Sequence, residues 1–268
     1  MLENKWARDY LKEVLESSGR SLEDLQALVE SVKLAHMDDP LLEIEFQRQG
    51  GSAVRCFNLA VAGLAQCNEN APLPLVAELI ESVEESNAKA LMFRKELPRL
   101  KRAVTQDPKN GEKLARLGFA FSALDEWEKA LSTYTQALEF PGTLCPQCHR
   151  DCLVNVGWDH YMKAEYEEAL GWFEMACRVK EPPPTDARHG ESDGHADVPY
   201  KLALENVLLA LAKMGRLTEA TARLQEYHDC FGRLPAYESR ALEKLGLQPD
   251  VVYIRSRTRN ISGETTGS

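Results

Sequence analysis

Apolar residues recur along this chain at the spacing that lines one face of an α-helix, with charged residues between them. Asn4 to Ser17 places Trp6, Tyr10, Leu11, Val14 and Leu15 on one such face, and Gly19 ends the pattern. Ser21, with Glu23 and Asp24 close behind, resembles the start of a second helix whose stripe runs Leu22, Leu25, Leu28, Val29, Val32 and Ala35 and stops before Pro40. A third helix is predicted from Pro40 to Arg48, where Gly50 and Gly51 interrupt it. A fourth, apolar enough to be buried, is predicted from Ala53 to Gln66. The stretch Asn68 to Pro74 reads as a loop. A long helical region opens at Leu75, with Glu78, Glu81, Glu84 and Glu85 early and Arg94, Lys95, Arg99, Lys101 and Arg102 late, the order a helix dipole favours. Pro98 predicts a kink or a break within it.

Composition fits an all-α fold: Leu, Ala, Glu and Lys dominate, and the chain of 268 residues is 44% hydrophobic, ample for a core. The formal charge of −10 repels nucleic-acid phosphates and anionic headgroups and favours a basic protein partner. No apolar run approaches the roughly 20 residues that span a bilayer, and Met1 to Asp9 lacks the basic-then-apolar order of an export signal, so the expectation is a soluble, cytoplasmic protein. Seven cysteines in a chain of this size argue for reduced thiols rather than a disulfide framework.

From Gly111 the chain becomes self-similar, DEWEKAL in one copy aligning with AEYEEAL in the next. The first copy carries Leu114, Leu117, Gly118 and Phe121, then Trp127, Ala130, Tyr134 and Ala137. The second carries Leu153, Val156, Gly157 and His160, then Tyr166, Ala169, Phe173 and Ala176. A third runs from Lys201 to about Gly232 with Leu204, Val207, Leu211, Leu217, Ala220 and Leu224 in register, Leu208 standing where the others have glycine. The pattern resembles the tetratricopeptide repeat, a helix-turn-helix of about 34 residues. The organisation expected is an N-terminal helical region over 1–75, a helical pair over 76–110 leading into the array, repeats over 111–250 and a mobile tail over 251–268.

The resemblance implies a solenoid of helical hairpins whose first helices line a concave groove that holds a segment of another protein. Carried onto this chain, the groove positions include Glu112, Phe119, Asp151, Val154, Trp158, Tyr161, Met162, Glu205 and Leu209, an aromatic and apolar wall edged with acid. Trp158 and Tyr161 are the leading contacts, because aromatics concentrate at binding hot spots. The basic clamp with which some family members grip a partner's C-terminal carboxylate is not reproduced: Asn155 fits one of its slots, but Ala115, Phe119 and Leu202 occupy others.

Two insertions interrupt the repeats. One, over about 141–149, brings LCPQCHRDC, in which Cys145 and Cys148 have the C-x-x-C spacing and His149 and Cys152 stand close enough to offer a third metal ligand. The other, over 181–199, is rich in Pro, Gly and Asp and holds His189 and His195, either of which could complete a zinc site. Zinc, free thiols and a redox-labile pair all satisfy the spacing. His36, His160 and His228 stand singly and are read as packed or solvated. No nucleophile elbow, phosphate loop, dinucleotide fingerprint, metalloprotease helix or kinase signature occurs, so a non-enzymatic role is expected. The first expectation is a scaffold or adaptor. Alternatives are an immunity-type inhibitor of a basic toxin or enzyme, and a zinc- or redox-responsive regulator working through Cys145 to Cys152.

Overall fold

A computed structural model of the protein describes residues 10–14, 52–66, 73–179, 198–232, 234, 239 and 242–249. Among them all regular structure is helical and no strand occurs. The helices are α1 (Ala53–Gln66), α2 (Leu73–Gln106), α3 (Gly111–Ala123), α4 (Trp127–Leu138), α5 (Pro146–Met162), α6 (Tyr166–Arg178), α7 (Val198–Lys213) and α8 (Leu217–Phe231), with a 3-10 turn at Pro141–Thr143. The helices expected over 21–35 and 40–48, most of the second insertion and the tail lie outside the described residues. Of the first expected helix only 10–14 is described, and it is helical. None of the described helices is long and apolar enough to cross a membrane.

The expected break at Pro98 is absent: α2 runs through it. Pro98 and Arg94 are both exposed, so water can satisfy the Arg94 carbonyl that the missing proline N–H leaves behind. The helix also starts at Leu73, inside the stretch expected as loop.

The chain divides into two compact units, residues 1–102 with 119–130, and residues 103–118 with 131–268. In the first, Leu11, Cys56, Phe57, Leu59, Ala60, Val61 and Leu64 close a core with Val76, Leu79 and Val83. Ser52 caps α1 by accepting the Arg55 N–H at 3.0 Å, worth about 1 kcal/mol. Gly63 lets α1 approach α2, for a Cβ there would meet Leu79 at 3.0 Å. The buried hydroxyls of Ser82 and Ser86 donate to the carbonyls of Glu78 and Ser82 one turn back, at 2.8 and 2.5 Å.

In the second unit each helix from α5 to α8 packs on the next, and α7 packs back on α5 as well. Consequently α7 is surrounded: every residue from Ala203 to Ala212 is buried. The crossings repeat in register. A Cβ on Gly118 would lie 2.8 Å from the Tyr134 ring, and one on Gly157 would lie 2.6 Å from the Phe173 ring, the partner standing sixteen residues on in both cases. At the same separation the third hairpin has Leu208 and Leu224, both fully buried. Two leucines replace a glycine and a ring, which conserves volume better than either change alone.

The turns repeat too. Glu126, Glu165 and Arg216 each donate their backbone N–H five residues back, to the carbonyls of Phe121, His160 and Leu211. The preceding residues Asp125, Ala164 and Gly215 lie at φ 64°, 62° and 70°. This left-handed closure satisfies helix-end carbonyls that would otherwise be orphaned, and it favours glycine at the positive-φ position. Gly246 at φ 90° repeats it a fourth time, with the Leu247 N–H donating to Leu242 O at 3.0 Å.

Two stability measurements check this description by urea unfolding. Ala164→Gly relieves a left-handed alanine at an exposed turn and is expected to raise stability by about 0.5–1 kcal/mol, whereas Gly215→Ala lowers it by about 1 kcal/mol. Gly157→Ala is expected to cost about 1–3 kcal/mol by overpacking, and Phe173→Leu in the same chain should recover part of that loss, so the double variant is less destabilised than the two single costs added.

Candidate functional site

The residues expected to line a groove separate into surface and interior. Val154, Glu205 and Leu209 are only 5%, 5% and 7% exposed. They belong to the interior around α7. Glu205 is held there by Tyr227, whose hydroxyl donates to its Oε1 at 2.7 Å. The signal was present in the sequence, since Tyr227 stands where the other hairpins carry Ala137 and Ala176: the extra volume of a tyrosine reaches across to α7 and its hydroxyl needs an acceptor.

What remains at the surface of the second unit is a stripe along α5. Asp151, Asn155, Trp158 and Met162 follow at intervals of four, three and four, and a helix of that length presents them along about 16 Å. Trp158 and Tyr161 meet edge to face with ring centroids 4.9 Å apart, Trp158 also packs against Phe173 at 6.1 Å, and Tyr161 meets Tyr166 at 5.3 Å. Both rings are half-buried against the core, while Met162 is 72% exposed. His160 stacks on Trp172 at 6.3 Å and its Nδ1 lies 2.7 Å from Glu165 Oε2. In the first unit Phe119 is partly exposed, edge-on to Phe93 at 5.5 Å and below the Lys89 ammonium at 6.0 Å.

Acidic groups edge the stripe. Glu112, in the first turn of α3, pairs with Arg116 at 2.5 Å. Asp151 sits among groups that strip its water, and burial raises its carboxyl from the ordinary carboxylate range to about 6, against the opposing pull of the Arg150 guanidinium. Arg150 is itself buried and donates to the Val179 carbonyl at 2.7 Å, tying the start of α5 to the end of α6.

The cysteine segment opens a helix. Cys145 is the N-cap of α5, Pro146 its first helical residue and Cys148 lies inside the first turn, so the helix begins within the C-x-x-C. Cys145 Sγ accepts the Cys148 N–H at 3.3 Å. The segment before it is fastened to α3: Thr143 Oγ1 accepts the Gly111 N–H at 2.6 Å, and a Cβ on Gly111 would meet Leu144, Phe140 and Ala137 at 2.9–3.0 Å. Burial, a hydrogen bond to Cys145 and the nearby charges push the Cys148 thiol up to about 12. Burial also raises Cys152, which is fully buried, and lowers His149. Among the described residues no three His, Cys, Asp or Glu side chains converge where a metal ion could be held. His189 and His195 lie outside the described residues.

No family model matches this sequence, and a comparison with curated proteins finds no match. The site therefore stands on its own geometry.

The Asp151 shift carries a pH dependence of definite sign. The folded chain binds this proton near pH 6, the unfolded chain only near pH 4, so the ionised carboxylate weakens the fold above pH 6 and the weakening fades as the pH falls to 4. Asp151→Asn is expected to stabilise the protein by about 1–2 kcal/mol at pH 7.5 and to leave it unchanged below pH 4, as read from thermal unfolding across that range.

Proposed function

We propose that this chain is a tetratricopeptide-type binding module that holds a segment of another protein along the Asp151, Trp158 and Met162 stripe of α5. The observation that carries the reading is a half-buried aromatic pair, Trp158 and Tyr161, ending in an exposed methionine and beginning at a carboxylate. Rings anchored from below present a preformed contact surface and lose little freedom on binding, which is how hot spots work. Three turns closed by the same hydrogen bonds, with helices crossing at the same sixteen-residue separation, support the repeat reading.

The chemistry specifies the partner in outline. An apolar side chain fits beside Met162 and Trp158, and a basic group fits beside Asp151 and Glu112, in keeping with the net charge of −10. Such a base would favour the ionised form of Asp151, so binding near pH 6 would release a proton.

A photo-crosslinker carried by the full chain near the stripe, used in its own cell, identifies the bound protein, and the purified pair then gives an affinity. Trp158→Ala is expected to weaken it about 30-fold or more, and Met162→Glu, at an exposed position that leaves the fold intact, about 10-fold. Leu217→Ala, at an exposed leucine on α8, is the control and should change nothing. Equal affinity across all three variants would remove the stripe from the binding surface.

A further inference from the structure

We propose that Cys145 and Cys148 form a dithiol that exchanges electrons with disulfides, a redox site at the start of α5. The two sulfurs belong to the N-cap and the third residue of α5, positions whose side chains face one another across the first turn, as the reciprocal bonds of a capping box require. The Cys148 thiol hydrogen-bonds to Cys145, which sets the two sulfurs beside one another, the first requirement of a disulfide. Cys145 is extended at φ −67° and ψ 155°, and Pro146 follows it with no N–H of its own. The Cys148 N–H donates to Cys145 Sγ at 3.3 Å.

Spacing separates this pair from the other described thiols. Cys145, Cys148 and Cys177 are all partly buried, but Cys177 has no cysteine three residues away in sequence, and Cys56 and Cys152 are buried in the core. Cys230 is exposed on α8 but has no cysteine three residues away in sequence.

The exchange balances as follows. The Cys145 thiolate attacks one sulfur of a disulfide RSSR, forming a mixed disulfide with Cys145 and expelling RS⁻. Cys148 gives up its proton and attacks Cys145 Sγ, closing the Cys145–Cys148 bond and expelling the second RS⁻. Two protein thiols are oxidised, two electrons pass to RSSR, and the two released protons leave with two RSH. The oxidant class is a small-molecule or protein disulfide.

Because the chain entering Cys145 is fastened to Gly111 through Thr143, the oxidised turn is expected to be read at the start of α3 as well as of α5.

The test equilibrates the full chain with mixtures of glutathione and glutathione disulfide at pH 7, quenches in acid, alkylates the remaining thiols and maps the products by mass. A single two-electron step is expected, with the Cys145–Cys148 bond at least about tenfold more abundant than any other disulfide or adduct. Cys148→Ser should trap one glutathione on Cys145. Cys145→Ser, which preserves the cap because serine is a preferred N-cap residue, should yield neither bond nor adduct above the level found on Cys230. Glutathione spread evenly over Cys145, Cys148 and Cys230, with no internal disulfide in the native chain, would overturn the proposal. So would zinc retained by the purified protein with both thiols blocked from alkylation until a chelator is added.

Discussion

Helices α5 and α6 approach as they do because Gly157 carries no side chain: the space a Cβ would need is already filled by the Phe173 ring. The same constraint operates between Gly118 and Tyr134. Each hairpin is thus set by one empty position and one large ring, and much else depends on that crossing. It presses α6 close enough for α7 to lie against both α5 and α6, and it gives Trp158, one residue beyond the glycine, a ring of Phe173 to rest on. The surface aromatics of α5 are therefore held from below by the same residue that fixes the helix crossing.

The third hairpin meets the same spatial demand with different residues. Leu208 fills the glycine position and Leu224 the ring position, while Tyr227 supplies bulk one turn later and takes Glu205 into the interior with it. A buried carboxyl group is costly unless its oxygens are satisfied, and the tyrosine hydroxyl supplies a donor to one of them. Outside, Arg216 pairs with Glu167 and Arg223 with Glu174, at 3.0 and 3.4 Å, so that α8 is stitched to α6 at two points one heptad apart. Exposed pairs of this kind contribute little stability each, but two of them at a fixed spacing select one sliding register of α8 over its neighbours.

Helix existence was legible in the sequence because apolar periodicity is a direct consequence of burying one face. Ala53–Gln66 is found at the limits expected, and the residues in the repeat slots, from Leu114 to Leu224, are almost all buried. What escaped was local. Pro98 does not break α2, since the cost of a missing hydrogen bond depends on whether water can reach the carbonyl, which a residue pattern does not reveal. Val154, Glu205 and Leu209 could not be sorted from Trp158 and Met162 by repeat position alone, because α7 is covered by α5, α6 and α8 together, a matter of how whole hairpins stack. The helix start inside the cysteine segment escaped because C-x-x-C spacing is shared by metal sites and helix starts. The proline between the cysteines, well suited to a first helical position, was the cue for the latter.

The closure at Gly246 bears on what covers the core beside α8. His228 brings its two ring nitrogens to 2.7 Å from the Gly232 carbonyl and 3.2 Å from that of Pro249, while Leu242 and Leu247 are buried in the same core as α7 and α8. His228 thus stands between the end of α8 and Pro249, and Leu242 and Leu247 lie in the core beside it. An apolar helix face left bare invites another molecule to cover it. Here part of that cover comes from the chain's own leucines, which lowers the reward for a second copy docking against them.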